Sequence, residues 1–238
     1  MNARHGRYLK EMGLGPLWHL RTPTPVNAAA PEQVPKQVPE STPCAADNRC
    51  ALPQAMEWDA LQSAIRSCKA CPLYTGRTQA VPGVGDQNAA WLFVGEAPGA
   101  DEDAQGEPFV GGAGKLLDNM LRSINLKRGD NVYIANVLKC HPPGNRNPLP
   151  EEIALCEPYL KRQIDLINPK LIVALGKFAA QTLSRSETSI SDLRGHIHRY
   201  RDIPLIVTYH PAYLLRHPQE KAKAWRDLCL AVKTMQAL

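Results

Sequence analysis

A chain of 238 residues with a net charge of +5 is long enough for one well-cored domain with a segment to spare. No run approaches the roughly 20 apolar residues of a membrane helix, and MNARHGRYLKEMGLGPLWHL lacks the unbroken apolar core and cleavage site of a signal peptide, so a cytoplasmic protein with no membrane partner is expected. Seven cysteines, an odd count, argue against a paired secreted disulfide framework, and the modest positive charge permits nucleic acid as a partner without requiring it.

Residues 1–55 hold eight of the 21 prolines, and TPTPVNAAAPEQVPKQVPESTP has no apolar period. Such a segment buries too little surface to offset its ordering entropy and is expected to be a flexible tail, with Leu14, Leu17, Trp18 and Leu20 partly collapsed within it rather than forming a docking helix. From Met56 onward the composition is globular. MEWDALQSAIRSC has helical spacing at Trp58, Leu61 and Ile65 and leads to Cys68. WLFVG reads as a buried strand ending in a Gly/Pro loop, GGAGKLLDNMLRSI as a helix, and NVYIANVLKC as a second strand. A helix bounded by Pro150 and Pro169, a strand PKLIVALG, a short helix KFAAQTLS, a strand DIPLIVTYHP and a C-terminal helix complete the chain. Apolar runs alternating with amphipathic helices predict an α/β fold of three layers, helices on both faces of a four-stranded parallel sheet, with function in the loops after the strands' C-terminal ends.

Four cysteines form the pattern Cys68-x2-Cys71 … Cys140-x15-Cys156. A Cys-x2-Cys pair presents two thiolates from one turn, and two more complete a four-thiolate shell that zinc and an iron–sulfur cluster both accept. A redox pair would follow a strand and open a helix, whereas Cys68-Lys-Ala-Cys71 follows a helix and precedes Pro72. Cys44, Cys50 and Cys229 fall outside the pattern, Cys229 with a packing role on a helix.

The glycines of GEAPGADEDAQGEPFVGGAGK let backbone N–H groups approach a ligand. A phosphate loop is ruled out, because Phe109 stands where its first glycine belongs and Leu116 follows the lysine; no nucleotide cofactor is expected. Glu96, Asp101, Glu102 and Asp103 read either as an acidic metal or acid/base cluster or as a solvated loop with helix-capping charge. Asn136, at the end of the second strand, can donate and accept at once, as the edge of a base requires, although an asparagine there also caps turns. His210 precedes Pro211 on a rigid turn and is followed by an apolar-basic hook, Leu214, Leu215 and Arg216.

Together, Cys68-x2-Cys71, GEAPGADED (95–103), GEPFVGGAG (106–114), NVLKCHPP (136–143), Cys156 and HPAYLLR (210–216) resemble the family 4, iron–sulfur, uracil-DNA glycosylases. The resemblance spans residues 56–238 and leaves out the Pro-rich tail. It implies a structural [4Fe–4S] cluster on Cys68, Cys71, Cys140 and Cys156, and uracil in single- or double-stranded DNA as substrate. It further implies that Phe109 stacks on the extruded base, that Asn136 reads its O4 and N3–H edge, and that Gly95, Glu96 and Ala97 contact it. Glu102 would stand beside C5, His210 would donate to O2 of the departing anion, and Leu214, Leu215 and Arg216 would enter the minor groove.

The classical uracil-DNA glycosylases of the superfamily carry an Asp where this chain has Ala97, so no general base is obvious and the role of Glu96 is left open between water positioning and base contact. The basic insertion of relatives that trap DNA covalently is absent after NVLKC, so turnover is expected. A silent DNA- or uracil-binding module and a zinc-braced interaction protein are the rival readings; both Asn136 and His210 being present favours an enzyme. The expected protein is a monomer whose tail is available to a replication or repair partner.

Overall fold

The computed structural model describes residues 55–238; the expected flexible tail and its Leu14–Leu20 patch lie outside the described residues. Eight α-helices are present among the described residues. They are α1 (Trp58–Ser67), α2 (Ala100–Gln105), α3 (Gly112–Ser123), α4 (Pro150–Ile167), α5 (Lys177–Ser184), α6 (Ile190–Leu193), α7 (Pro211–Arg216) and α8 (Lys221–Gln236). The strands are β1 (Val84–Gly85), β2 (Trp91–Gly95), β3 (Val132–Asn136), β4 (Leu171–Leu175), β5 (Ile197–Tyr200) and β6 (Ile203–Thr208).

The sheet order is β1-β3-β2-β4-β6-β5. The four strands read from the sequence are its parallel centre, β3-β2-β4-β6. The expected count of four is corrected to six, because β1 and β5 add antiparallel edges to β3 and β6. Both edges lack a strong sequence signal. β1 has two residues, one of them glycine, and the Ile-His-Arg-Tyr of β5 is largely exposed, as edge strands with charged side chains are.

The parallel strands are buried along their length, so alternation decides which face each residue serves. Leu92, Val94, Tyr133, Ala135, Ile172 and Ala174 pack against Leu160 and Ile164 of α4 and Ala179, Ala180 and Leu183 of α5. Phe93, Ile134, Val173 and Ile206 face the other way, onto Leu117 and Leu121 of α3 and Ala231 of α8. Each of the larger aliphatic and aromatic side chains among these contributes about 1.5–3 kcal/mol on burial, which makes this double-faced sheet the rigid base of everything above it. Among the described residues no helix is long and apolar enough to cross a membrane.

Two local departures concern the region above the sheet. The segment after β2, read as a loop, contains α2, a six-residue helix too short and too charged to show an apolar period. Its first turn is tied by Glu102, whose Oε2 accepts from Gly99 N at 3.0 Å. The hook after His210 is a helix, α7, opened by Pro211 at its first position.

Candidate active site

The parallel strands end side by side, and Glu96, Asn136, Gly176 and Tyr209–His210 follow their C-terminal ends. A cleft of about 580 Å³ opens there, lined by Glu96, Ala97, Glu102, Phe109, Asn136 and His210. Residues scattered over more than a hundred positions of sequence therefore meet at one edge. Gly95 is buried, with no room for a side chain: a Cβ there would fall 2.5 Å from Cζ of Phe109 and would also strike Oδ1 of Asn136.

Asn136 is 2% exposed, and its Oδ1 has no hydrogen-bond partner. A buried acceptor left unpaired costs about 1–3 kcal/mol, so this atom is held ready for a donor that the protein itself does not supply. Phe109, 5% exposed, adopts a left-handed backbone (φ +58°), and its ring lies 5.3 Å from that of His210 at 30° between planes. An aromatic in that region is strained, and such strain concentrates at functional turns.

His210 caps α7 with its own ring, Nδ1 accepting from Ala212 N at 3.2 Å. Burial, helped by the Arg216 guanidinium and opposed by Glu102, brings its pKa down to about 4. Glu96 is shifted the other way, burial pushing its carboxyl up to about 7. Glu102, expected beside C5 of a base, lines the cleft with its carboxylate engaged by backbone. Oε1 accepts from Val110 N (2.9 Å) and Gly111 N (3.2 Å) while Oε2 holds Gly99, so one side chain joins the β2 loop to the turn before α3.

The hook divides. Leu215 is 48% exposed and Arg216 is exposed with it, but Leu214 is 1% exposed and packs with Met120, Tyr209, Ala224 and Leu228. Leu214, expected with its two neighbours to enter the minor groove, is thus found in the interior of the domain. In a helix successive side chains are turned by about 100°, so two adjacent leucines cannot share one face.

The four expected cysteines also converge. Cys68 follows α1, Cys71 precedes the 3-10 turn Pro72–Thr75, Cys140 lies beyond β3 and Cys156 on α4, and all four line one cavity as free thiols. Arg77 Nη1 donates to Cys140 Sγ at 2.9 Å and Lys139 N to Cys156 Sγ at 3.3 Å. Burial pushes the Cys156 thiol up to about 12. Among the described residues no group of three or more His, Cys, Asp or Glu side chains closes on a single metal ion. The donor chemistry nevertheless fits a thiolate-ligated group: four reduced sulfurs, N–H donors aimed at two of them, and two cationic side chains at the cavity wall.

This arrangement matches a known superfamily. Residues 82–229 fit the model of the uracil DNA glycosylase superfamily. A type-4 uracil-DNA glycosylase of Archaeoglobus fulgidus is 51% identical over 163 residues, 65% of this chain and 81% of the relative. The chain belongs to the type-4 uracil-DNA glycosylases. Further type-4 relatives are those of Sulfurisphaera tokodaii, 44% identical over 73% of this chain and 85% of the relative, and of Thermotoga maritima, 47% over 64% and 80%.

Other residues at this family site escaped the sequence reading. Arg146, Asn147, Lys177, Phe178 and Tyr213 also line the cleft. Lys177 and Phe178 open α5 beyond Gly176, whose left-handed backbone (φ +93°) passes close to His210: a Cβ there would lie 3.0 Å from that of His210. A glycine after a buried strand is the signal that marks this crossing.

Proposed function

We propose that this chain hydrolyses the N-glycosidic bond of uracil in DNA, leaving an abasic site, as the first step of repairing deaminated cytosine. The single observation that carries the reading is the buried, unpartnered Oδ1 of Asn136 beside the Phe109 ring and the bare backbone of Gly95. A base flipped into this slot stacks on Phe109 and meets Asn136 edge-on. Uracil offers N3–H to Oδ1 and O4 to Nδ2, whereas cytosine presents the opposite polarity and leaves both groups unpaired.

As the C1′–N1 bond breaks, its electron pair moves into the uracil ring and charge gathers on O2. His210 donates to that oxygen from Nε2, because Nδ1 is already an acceptor. A neutral donor serves here, since an imidazole with a pKa near 4 carries no charge at neutral pH. Water then adds to C1′, and its proton passes to Glu96, whose affinity near neutrality suits that task. Ala97 offers no rival carboxylate.

Cys68, Cys71, Cys140 and Cys156 would hold a [4Fe–4S] cluster. That cluster would supply structural cross-linking of α1, α4 and the segment after β3, since hydrolysis moves no electrons. Leu215 and Arg216 meet the minor groove, with Leu214 supporting them from within. Residues 1–55 would be available to a repair or replication partner, and if that is their only role, deletion of residues 1–50 leaves excision intact.

The deciding experiment uses end-labelled oligonucleotides with one uracil, single-stranded or opposite G or A, followed by alkaline cleavage. Scission at uracil and not at thymine or cytosine is expected. No scission by folded protein that carries the iron–sulfur cluster's brown colour would transfer the reading to a silent binding module.

A further inference from the structure

We infer that Arg128 is a positioning residue for base capture, holding the Phe109 ring in place from outside the cleft; the inference rests on the uracil-excision reading above. Arg128 stands beyond the C-terminal end of α3, and no motif draws attention to it. Its guanidinium nevertheless reaches the turn that carries the stacking ring. Nη1 donates to the carbonyl of Pro108 and Nη2 to the carbonyl of Phe109, each at 2.8 Å. Nε donates to Asp118 Oδ1 at 3.1 Å, so the fork is anchored to α3.

Two successive carbonyls receive one planar fork only where they point the same way. In extended chain they would oppose each other, so this pair of bonds is available to the left-handed Phe109 (φ +58°) and lost if the residue relaxes to a strand. The opposite side of the turn is held with matching polarity, Glu102 Oε1 accepting from Val110 N and Gly111 N. Gly114 closes it from below: a Cβ at that position would overlap the Phe109 carbonyl. A cation on the carbonyls, a carboxylate on the N–H groups and a bare backbone beneath therefore over-determine one strained residue, and its ring is the one that meets the base.

The test compares wild type with Arg128→Ala and Arg128→Lys in the full chain with its cysteine site loaded. Three quantities are read: kcat/KM on a single-stranded uracil oligonucleotide, inhibition by free uracil, and affinity for duplex bearing an abasic site. Arg128→Ala is expected to weaken both uracil inhibition and kcat/KM about tenfold while abasic-DNA affinity stays within about twofold of wild type. Lysine, a point donor, does not restore the loss, whereas millimolar ethylguanidine does so in part for Arg128→Ala. In a Phe109→Leu background the same substitution should add nothing further to uracil inhibition. If Arg128→Ala does not fold, Asp118→Asn, which frees the fork from α3, is read in the same way with a smaller expected loss. Unchanged uracil inhibition in a folded variant, or full additivity with Phe109→Leu, overturns the assignment of Arg128. Wild-type protein that leaves uracil in place counts instead against the excision reading.

Discussion

The N–H of Ala212 donates to Nδ1 of His210 at 3.2 Å, and this bond decides which ring nitrogen carries the proton. With Nδ1 an acceptor, the tautomer is Nε2–H, directed by the start of α7 rather than by any second side chain. Burial keeps the ring neutral down to a pKa of about 4. Nitrogen-15 spectra should therefore show one Nε2–H tautomer throughout pH 5–9. His210→Ala should lose about 10²–10³ in kcat in protein that still folds, with only the modest fall in melting temperature expected from losing the cap of α7. A protonated ring at pH 6 in those spectra would contradict the assignment.

Glu96 makes the pH profile one-sided. Its carboxyl is pushed up to about 7, so the ionised form required to accept a proton disappears below neutrality. kcat/KM should rise through pH 7 and level off, with no descending limb from His210 up to pH 9. Glu96→Gln should be slow and flat. For stability the sign is opposite to that of a salt-bridged carboxylate: the folded state disfavours the charge, so stability falls as pH rises from about 4.5 through 7. Glu96→Gln is thus expected to melt higher than wild type at pH 8, by about 1 kcal/mol after allowing for partial solvation, and equally at pH 4.

Gly95 tests the shape of the slot. Gly95→Ala places a methyl group against Phe109 and Asn136. Overpacking of this kind costs about 1–3 kcal/mol of stability, but excision should fall far more, by at least about 10²-fold. Wild-type turnover in this variant would mean that the base binds elsewhere.

The two leucines of α7 should separate cleanly. Leu215→Ala removes an exposed side chain and should impair duplex substrates more than single strands, because only a duplex has a stack to fill. Leu214→Ala leaves a core cavity instead, lowering stability by about 2–5 kcal/mol and affecting both substrates alike. Equal duplex-specific losses in the two variants would restore Leu214 to the DNA contact.

If the proposed [4Fe–4S] cluster is held as described, Cys140→Ser should remove its visible absorbance and lower the melting temperature by more than about 5 °C before it alters chemistry in protein that remains folded. A variant that keeps its melting temperature and loses activity would assign the cysteine site a chemical role.

Much of this was legible because the informative residues sit where local chain chemistry is loudest. Apolar runs such as Leu171–Leu175 are buried on both faces and announce parallel strands. Asn136 and His210 stand at strand ends, His210 directly before Pro211, and the cysteine spacing is legible without any structure. What was missed has the opposite character. β5 is an exposed edge whose alternation is diluted by histidine and arginine, and α2 is too short for a period. The inward turn of Leu214 depends on helix geometry that a three-residue hook does not reveal. Arg128 lies 19 residues from the carbonyl of Phe109 that it grips, and a contact between a loop arginine and backbone oxygen leaves no pattern in sequence.

Between Asn136 and Cys140 the chain has no slack. Val137 N and Leu138 N donate to Gly95 and Glu96, Lys139 O accepts from Val81 N, and Lys139 N reaches Cys156. The buried Lys139 ammonium returns to the carbonyl of Asn136 at 2.7 Å and is steadied by Gln163 at 2.6 Å. Asn136, which lines the cleft, and Cys140, which lines the sulfur-rich cavity, are thus two ends of one taut cord. Slackening at the cysteine end has nowhere to be absorbed before it reaches Asn136, so the two ends share one stability: loosening the cysteine site lowers the temperature at which the Asn136 end lets go, without altering how that end works while the chain stays folded.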